Sequence, residues 1–152
     1  MELEKKSSEK ISAEKKEKIT DDLISELKTA SENLFYISET DAPFEPFVWK
    51  TDVPFTEIKT EDVLRLAGQK PDAKVLEKTL DDFFKQPTEI QDWFGDEEKE
   101  QVEKFKKLKE LLAARLKSAK VFKIGEIQID IYVVGIDSEG NLAGVKTKAV
   151  ET

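Results

Sequence analysis

Cysteine and histidine are both absent from this chain of 152 residues, and each absence removes a class of chemistry. Without cysteine there is no disulfide scaffold. Without histidine the usual near-neutral proton carrier is missing, and with it the Ser-His-Asp and Cys-His nucleophile systems and the commonest zinc ligand. Basic charge is also short: 25 Lys and Arg stand against 33 Asp and Glu, a formal net charge of -8. Binding to a phosphate backbone depends on Lys and Arg displacing counterions, so direct nucleic-acid binding is not expected, whereas a basic partner is easy to approach. No run of 18 apolar residues occurs, and the first 18 positions mix Lys with Glu where an export signal would carry its apolar core. The sequence therefore predicts no membrane association and a cytoplasmic protein. The six glycines, at 68, 95, 125, 135, 140 and 144, form neither a phosphate-binding loop nor a dinucleotide fingerprint. No EF-hand, zinc or two-histidine ligand spacing is present, so no cofactor of its own is expected.

What is there is enough for one domain. A body of this size removes roughly two-thirds of its chain surface from water without a metal or disulfide. Residues 1–18 hold five acids and six lysines with only Leu3, Ile11 and Ala13 as apolar positions, too few to offset ordering entropy, and read as a charged tail before a single domain over 19–152. Ile19, Leu23, Leu27, Ala30 and Leu34 recur at helical spacing and predict a helix ending near Asn33. Pro43 and Pro46 then force an extended path, with Phe47-Val48-Trp49 as a strand. Thr60-Glu61-Asp62 caps a short helix that stops before Gly68, and Thr79-Leu80-Asp81-Asp82 caps another that carries Phe83 and Phe84. Val75-Leu76 fits helix or strand. Asp96 is expected to cap a long helix from about 97 to 117, with Val102, Phe105, Leu108, Leu112 and Leu116 on its buried stripe.

After residue 118 the period changes to two. Residues 121–124 read as a strand, and Ile127, Ile129, Ile131 and Val133 alternate along the next. The 137–141 turn, with Gly140 at a positive φ, leads into a last strand over 142–150, where a slip near Gly144 suggests a bulge. The expected architecture is a largely antiparallel sheet covered by helices.

Several strings coincide on these elements: LFYISETDAPFEPFVW at 34–49, IQDWF at 90–94 and KVFKIGEIQIDIYVVGIDSEGNLAGVKTKAVET at 120–152. Together they resemble the nuclease A inhibitor family over about residues 19–152. The resemblance implies an α/β (α+β) three-layer α/β/α sandwich. It also implies a non-enzymatic inhibitor, monomeric in isolation, that plugs a sugar-non-specific, Mg-dependent DNA/RNA nuclease. Carried over residue by residue, the family's inhibitory groups fall on Glu39 in the acidic loop, on Gln91 and Trp93, and on Thr152, which is expected to reach the nuclease's Mg. Thr40 departs from the serine common in that loop.

The same residues have a physical reading of their own. Positions 19–62 carry eleven acids and three lysines, whereas 63–152 carry 17 acids and 16 bases; the acidity is local. Glu39 and Asp41 flank Thr40 ahead of Pro43, where carboxylates can meet a partner's basic side chains or simply remain solvated. Trp93 sits in a short polar connection, either as an interface contact helped by Gln91 or as a staple under the following helix. Phe94 and Trp49 are expected in the core. Thr152 offers a hydroxyl and an α-carboxylate, hard ligands for a partner's cation, against the ordinary expectation of a frayed end. Asp81-Asp82 and Glu97-Glu98 sit at helix starts, where acids favour the dipole, and not as an acid–base pair. Two other functions compete with inhibition: a module on the same scaffold that binds a different basic protein, and a carboxylate hydrolase, for which no acid pair has a defined separation.

Overall fold

The computed structural model describes residues 22–152; the expected tail over 1–18 and helix start at Ile19 lie outside them. In chain order there is a helix over 22–31 (α1), a hairpin of β1 (Phe35–Ile37) and β2 (Asp41–Pro43), then β3 (Glu45–Trp49), α2 (Thr60–Leu66) and β4 (Val75–Thr79). Next come α3 (Leu80–Lys85) with a 3-10 turn at Gln86–Thr88, α4 (Asp96–Arg115), β5 (Lys117–Ile124), β6 (Gln128–Ile136) and β7 (Leu142–Val150). Among the described residues this is a mixed α+β fold of four helices and two antiparallel sheets, the β1-β2 hairpin and a five-stranded sheet in the order β3-β7-β6-β5-β4. Val75-Leu76 is resolved as strand.

Alternation along the strands divides the core. Ile129, Ile131 and Val133 of β6 join Leu23 and Leu27 of α1, Phe83 and Phe84 of α3 and Phe105, Leu108, Leu112 and Leu116 of the predicted stripe in one apolar cluster; Val102 of that stripe is buried as well. Val134 and Ile136 join Phe122, Ile124, Leu142 and the α2 residues Val63 and Leu64 in a second. Successive residues such as Val121 and Phe122, both fully buried, fall into different clusters because successive side chains leave a strand on opposite sides. Burying each such side chain is worth roughly 1.5–3 kcal/mol. Trp49 is half-buried against Phe47 and Tyr132 instead of enclosed.

Several boundaries differ from expectation. Thr60 is the first residue inside α2, not its cap, and its hydroxyl donates to Glu77 at 2.9 Å. Gly95 caps α4 in place of Asp96, and its N–H donates to the Glu98 carboxylate at 3.0 Å, the reciprocal half of a capping box. Thr79 does cap α3, accepting from the Asp82 N–H at 3.1 Å. The α4 helix stops at Arg115 because Leu116 turns extended and Ser118 takes a φ of 55°. The bulge lies there and not at Gly144: residues 118 and 119 of β5 oppose the single Gly135 of β6. Gly135 suits that site, since a Cβ would lie 2.6 Å from the Leu116 Cβ. Pairing continues unbroken through Gly144, whose lack of a side chain is needed because a Cβ would stand 1.8 Å from the Val133 carbonyl oxygen.

The β6–β7 turn is tied down from inside. Buried Asp137 accepts the N–H groups of Glu139 and Asn141 at 2.8 and 2.9 Å, and Asn141 accepts the Thr51 N–H at 3.1 Å. Gly140 there has a φ of 80°, as expected for the turn.

Candidate functional site

The geometry around Thr152 follows from how strand β7 is flanked. Its first half pairs with β3, whose first residue, Glu45, lies opposite Lys146. Beyond that point the same edge is taken by the β1-β2 hairpin: the Thr147 hydroxyl donates to the Ala42 carbonyl at 3.3 Å, and the Val150 N–H donates to the Ser38 hydroxyl oxygen at 3.1 Å. The Glu39 N–H donates to the Val150 carbonyl at 3.3 Å, and on the other edge the Glu151 N–H donates to the Ile127 carbonyl at 2.9 Å. The exit of β7 is therefore held between two segments.

These contacts bring Glu39 and Thr152 together, although 113 positions separate them: the Thr152 hydroxyl donates to the Glu39 carboxylate. Both residues are exposed. The hairpin tip is set by Ser38, whose N–H and hydroxyl both donate to the Thr40 carbonyl at 3.0 Å. Asp41 is exposed at the start of β2, opposite Ile37. Two of the five predicted site residues thus touch, and Asp41 stands two positions along the chain from one of them.

Gln91 and Trp93 occupy the connection between the 3-10 turn and α4. The Phe94 N–H donates to the Gln91 carbonyl at 3.1 Å and closes a turn over Asp92-Trp93. Trp93 is 73% exposed and meets Phe94 edge-to-face at 4.6 Å. It does not staple the helix start, and Phe94 is half-buried instead of core. Ile90 on the same connection is 55% exposed.

Three residues that build the Thr152 region escaped the sequence reading: Ser38, Lys123 and Glu151. Lys123 points its Nζ to the Glu151 carboxylate at 2.8 Å and is buried, although it lies in β5 between β6 and β4. A signal for it exists in VFKI, where one lysine interrupts an otherwise apolar strand with neighbours on both sides. Tyr36 of β1 lies close by: burial pushes its phenol above the ordinary value near 10, Lys123 pulls it back in part, and Glu151 adds to the rise. Exposed apolar side chains adjoin the region at Ile37, Leu76 and Ile127.

Other features lie elsewhere. An open groove of about 590 Å³ between α1 and α4 is lined by Ser25, Glu26, Thr29, Lys104, Lys107 and Leu111, among others, and by none of the predicted site residues. Among the described residues no group of three or more Asp or Glu is placed to hold a metal, and no helix is long and apolar enough to cross a membrane. Residues 21–152 match the family model described as nuclease A inhibitor-like protein. No curated protein matches the chain.

Proposed function

The chain belongs to the nuclease A inhibitor-like family, and from that premise we propose that it is a non-enzymatic inhibitor of a sugar-non-specific, Mg-dependent DNA/RNA nuclease. A nuclease cleft draws in phosphate, so it presents basic side chains around a hard cation that prefers oxygen ligands. An acidic protein that supplies oxygen donors there acts as a phosphate mimic. The observation that carries this reading is the contact between the Thr152 hydroxyl and the Glu39 carboxylate. A hydroxyl that gives its proton to a carboxylate keeps both lone pairs for a cation, and the carboxylate leaves net negative charge beside them.

In this reading Thr152 ligates the partner nuclease's Mg, and Glu39 and Asp41 pair with its basic residues. Gln91 and Trp93 form a second contact, where an exposed indole excludes water over a large area at small entropic cost. The concentration of acids in residues 19–62 supports approach to a basic cleft. The two apolar clusters on alternating strand positions support an α/β/α sandwich as the rigid base. The protein acts as a monomer in the cytoplasm, protecting the cell that makes the nuclease, and binds neither nucleic acid nor a cofactor itself.

Titrating such a nuclease with the full chain tests the proposal. Cleavage of DNA is expected to stop near one equivalent, and Thr152→Ala is expected to relieve the block. Undiminished cleavage at stoichiometric excess rejects the function, and full inhibition by Thr152→Ala rejects the role of the hydroxyl.

A further inference from the structure

We propose that Lys123 and Glu151 form a positioning pair that holds Thr152 beside Glu39 before any partner arrives. This rests on the inhibitory reading above and adds to it a device for keeping the exposed Thr152 in place beyond the last strand. The end of a strand ordinarily frays, because its last residues have few contacts to offset the freedom they lose. Here the main chain is bracketed at Val150 and Glu151, and the side chain of Glu151 adds a contact of another kind. Lys123 keeps only 10% of its side-chain surface in water, whereas Glu151 keeps 44%. The Lys123 side chain is largely covered by protein, on a β5 residue paired with Ile131 on one side and Leu76 on the other.

That asymmetry gives the pair its direction. A covered ammonium is costly when unpaired and is tolerated when a carboxylate meets it. If Glu151 lifts away with Thr152, the carboxylate returns to water at little cost, but Lys123 is left behind without it. The penalty falls on the frayed state and favours the seated one. Tyr36, close to both groups, belongs to the same strand pair whose tip carries Ser38 and Glu39, so the lysine sits where hairpin and β7 exit converge. A seated Thr152 need not be ordered on docking, and that ordering cost is removed from binding.

The test uses the full chain and compares Lys123→Met, Lys123→Arg and Glu151→Gln with the parent. Amide ¹⁵N relaxation of Thr152 is recorded without nuclease, and the inhibition constant against a Mg-dependent nuclease and the unfolding midpoint are measured separately. The parent is expected to give an order parameter near about 0.8 at Thr152, and Lys123→Met and Glu151→Gln a value under about 0.6. Amides of β6 should be unchanged. The inhibition constant should rise about tenfold in those two variants and less in Lys123→Arg, which keeps the charge. A Thr152 as rigid in both neutral variants as in the parent overturns the proposal. So does unchanged inhibition by both, given an inhibitory parent. If Lys123→Met fails to fold, Glu151→Gln, altered at an exposed position, decides alone. A parent that does not inhibit defeats the functional reading, while the relaxation arm still decides the pair.

Discussion

The 38–40 loop with Thr152 and the 90–95 connection with Trp93 present side chains to solvent by opposite means. The first is assembled over long sequence separations: Ser38 meets Val150, Glu39 meets Thr152 and Lys123 meets Glu151. The second is closed within a few residues, by the Phe94 to Gln91 turn and the Trp93–Phe94 ring contact. In the proposed function, polar donors that meet a cation and basic groups need fixed geometry, and here that geometry comes from a sheet. A large indole gains from area alone and tolerates a looser support. In the inhibitory reading proposed above, one interface would combine a polar element built on the sheet with an exposed apolar one closed locally.

The largest expected effect tests whether the first region stands on the core. Phe84 has no exposed surface and packs edge-on against Phe83, which in turn stacks on Tyr36 of the hairpin at 5.4 Å. Phe84→Ala should lower the unfolding free energy by about 3–5 kcal/mol in a denaturant titration; a loss under about 1 kcal/mol would break the link between core and hairpin. Trp93→Ala should separate the two regions. Affinity for the nuclease should fall by about 2 kcal/mol, roughly thirtyfold, while stability stays within the ~0.5 kcal/mol usual for a surface change. The reverse pattern would make Trp93 a support for α4.

The smallest effect concerns the two tyrosines of the chain. Burial raises the phenol of Tyr36, and burial with the Asp130 charge raises that of Tyr132. Each holds its proton more tightly folded than unfolded. Their contribution to stability is therefore complete below about pH 10 and is lost as pH rises through the raised folded values. An ultraviolet phenolate titration should show both steps above the ordinary value, and Tyr36→Phe should remove one. A normal step surviving in that variant would place Tyr132 in water and sharpen the contrast with the hairpin.

What could be read in the sequence follows the range of the forces involved. The α4 stripe, the Thr79 cap and the alternation of Ile129, Ile131 and Val133 are local patterns that the structure shows, whereas Ile127, expected on the same face, lies ahead of β6 and is exposed. Asp96 and Thr60 missed the capping position by one residue because a glycine or a lysine can occupy it when a neighbouring side chain or backbone bond suffices. The slip in alternation near Gly144 suggests a bulge, yet pairing runs through it and the glycine's reason is close approach to Val133. Trp93 could be singled out because no periodic stripe claimed it. Ser38 and Glu151 could not, since their roles depend on β3 beginning only at Glu45 and leaving the far part of the β7 edge to the hairpin, a fact of strand order; Lys123 stands out as the lone lysine of VFKI, but its partner does not. The contact between Glu39 and Thr152 was likewise invisible, although both were named singly.

The strand order has one more effect, on how this protein lives among copies of itself. Its outermost strands, β3 and β4, are each five residues long; one contains Pro46 and the other places Glu77 beside Lys78. Short borders broken by an imino acid or by paired charges offer a stranger little ladder to extend. The longer, more apolar strands β5, β6 and β7 lie inward, which leaves little of their edges for pairing between copies.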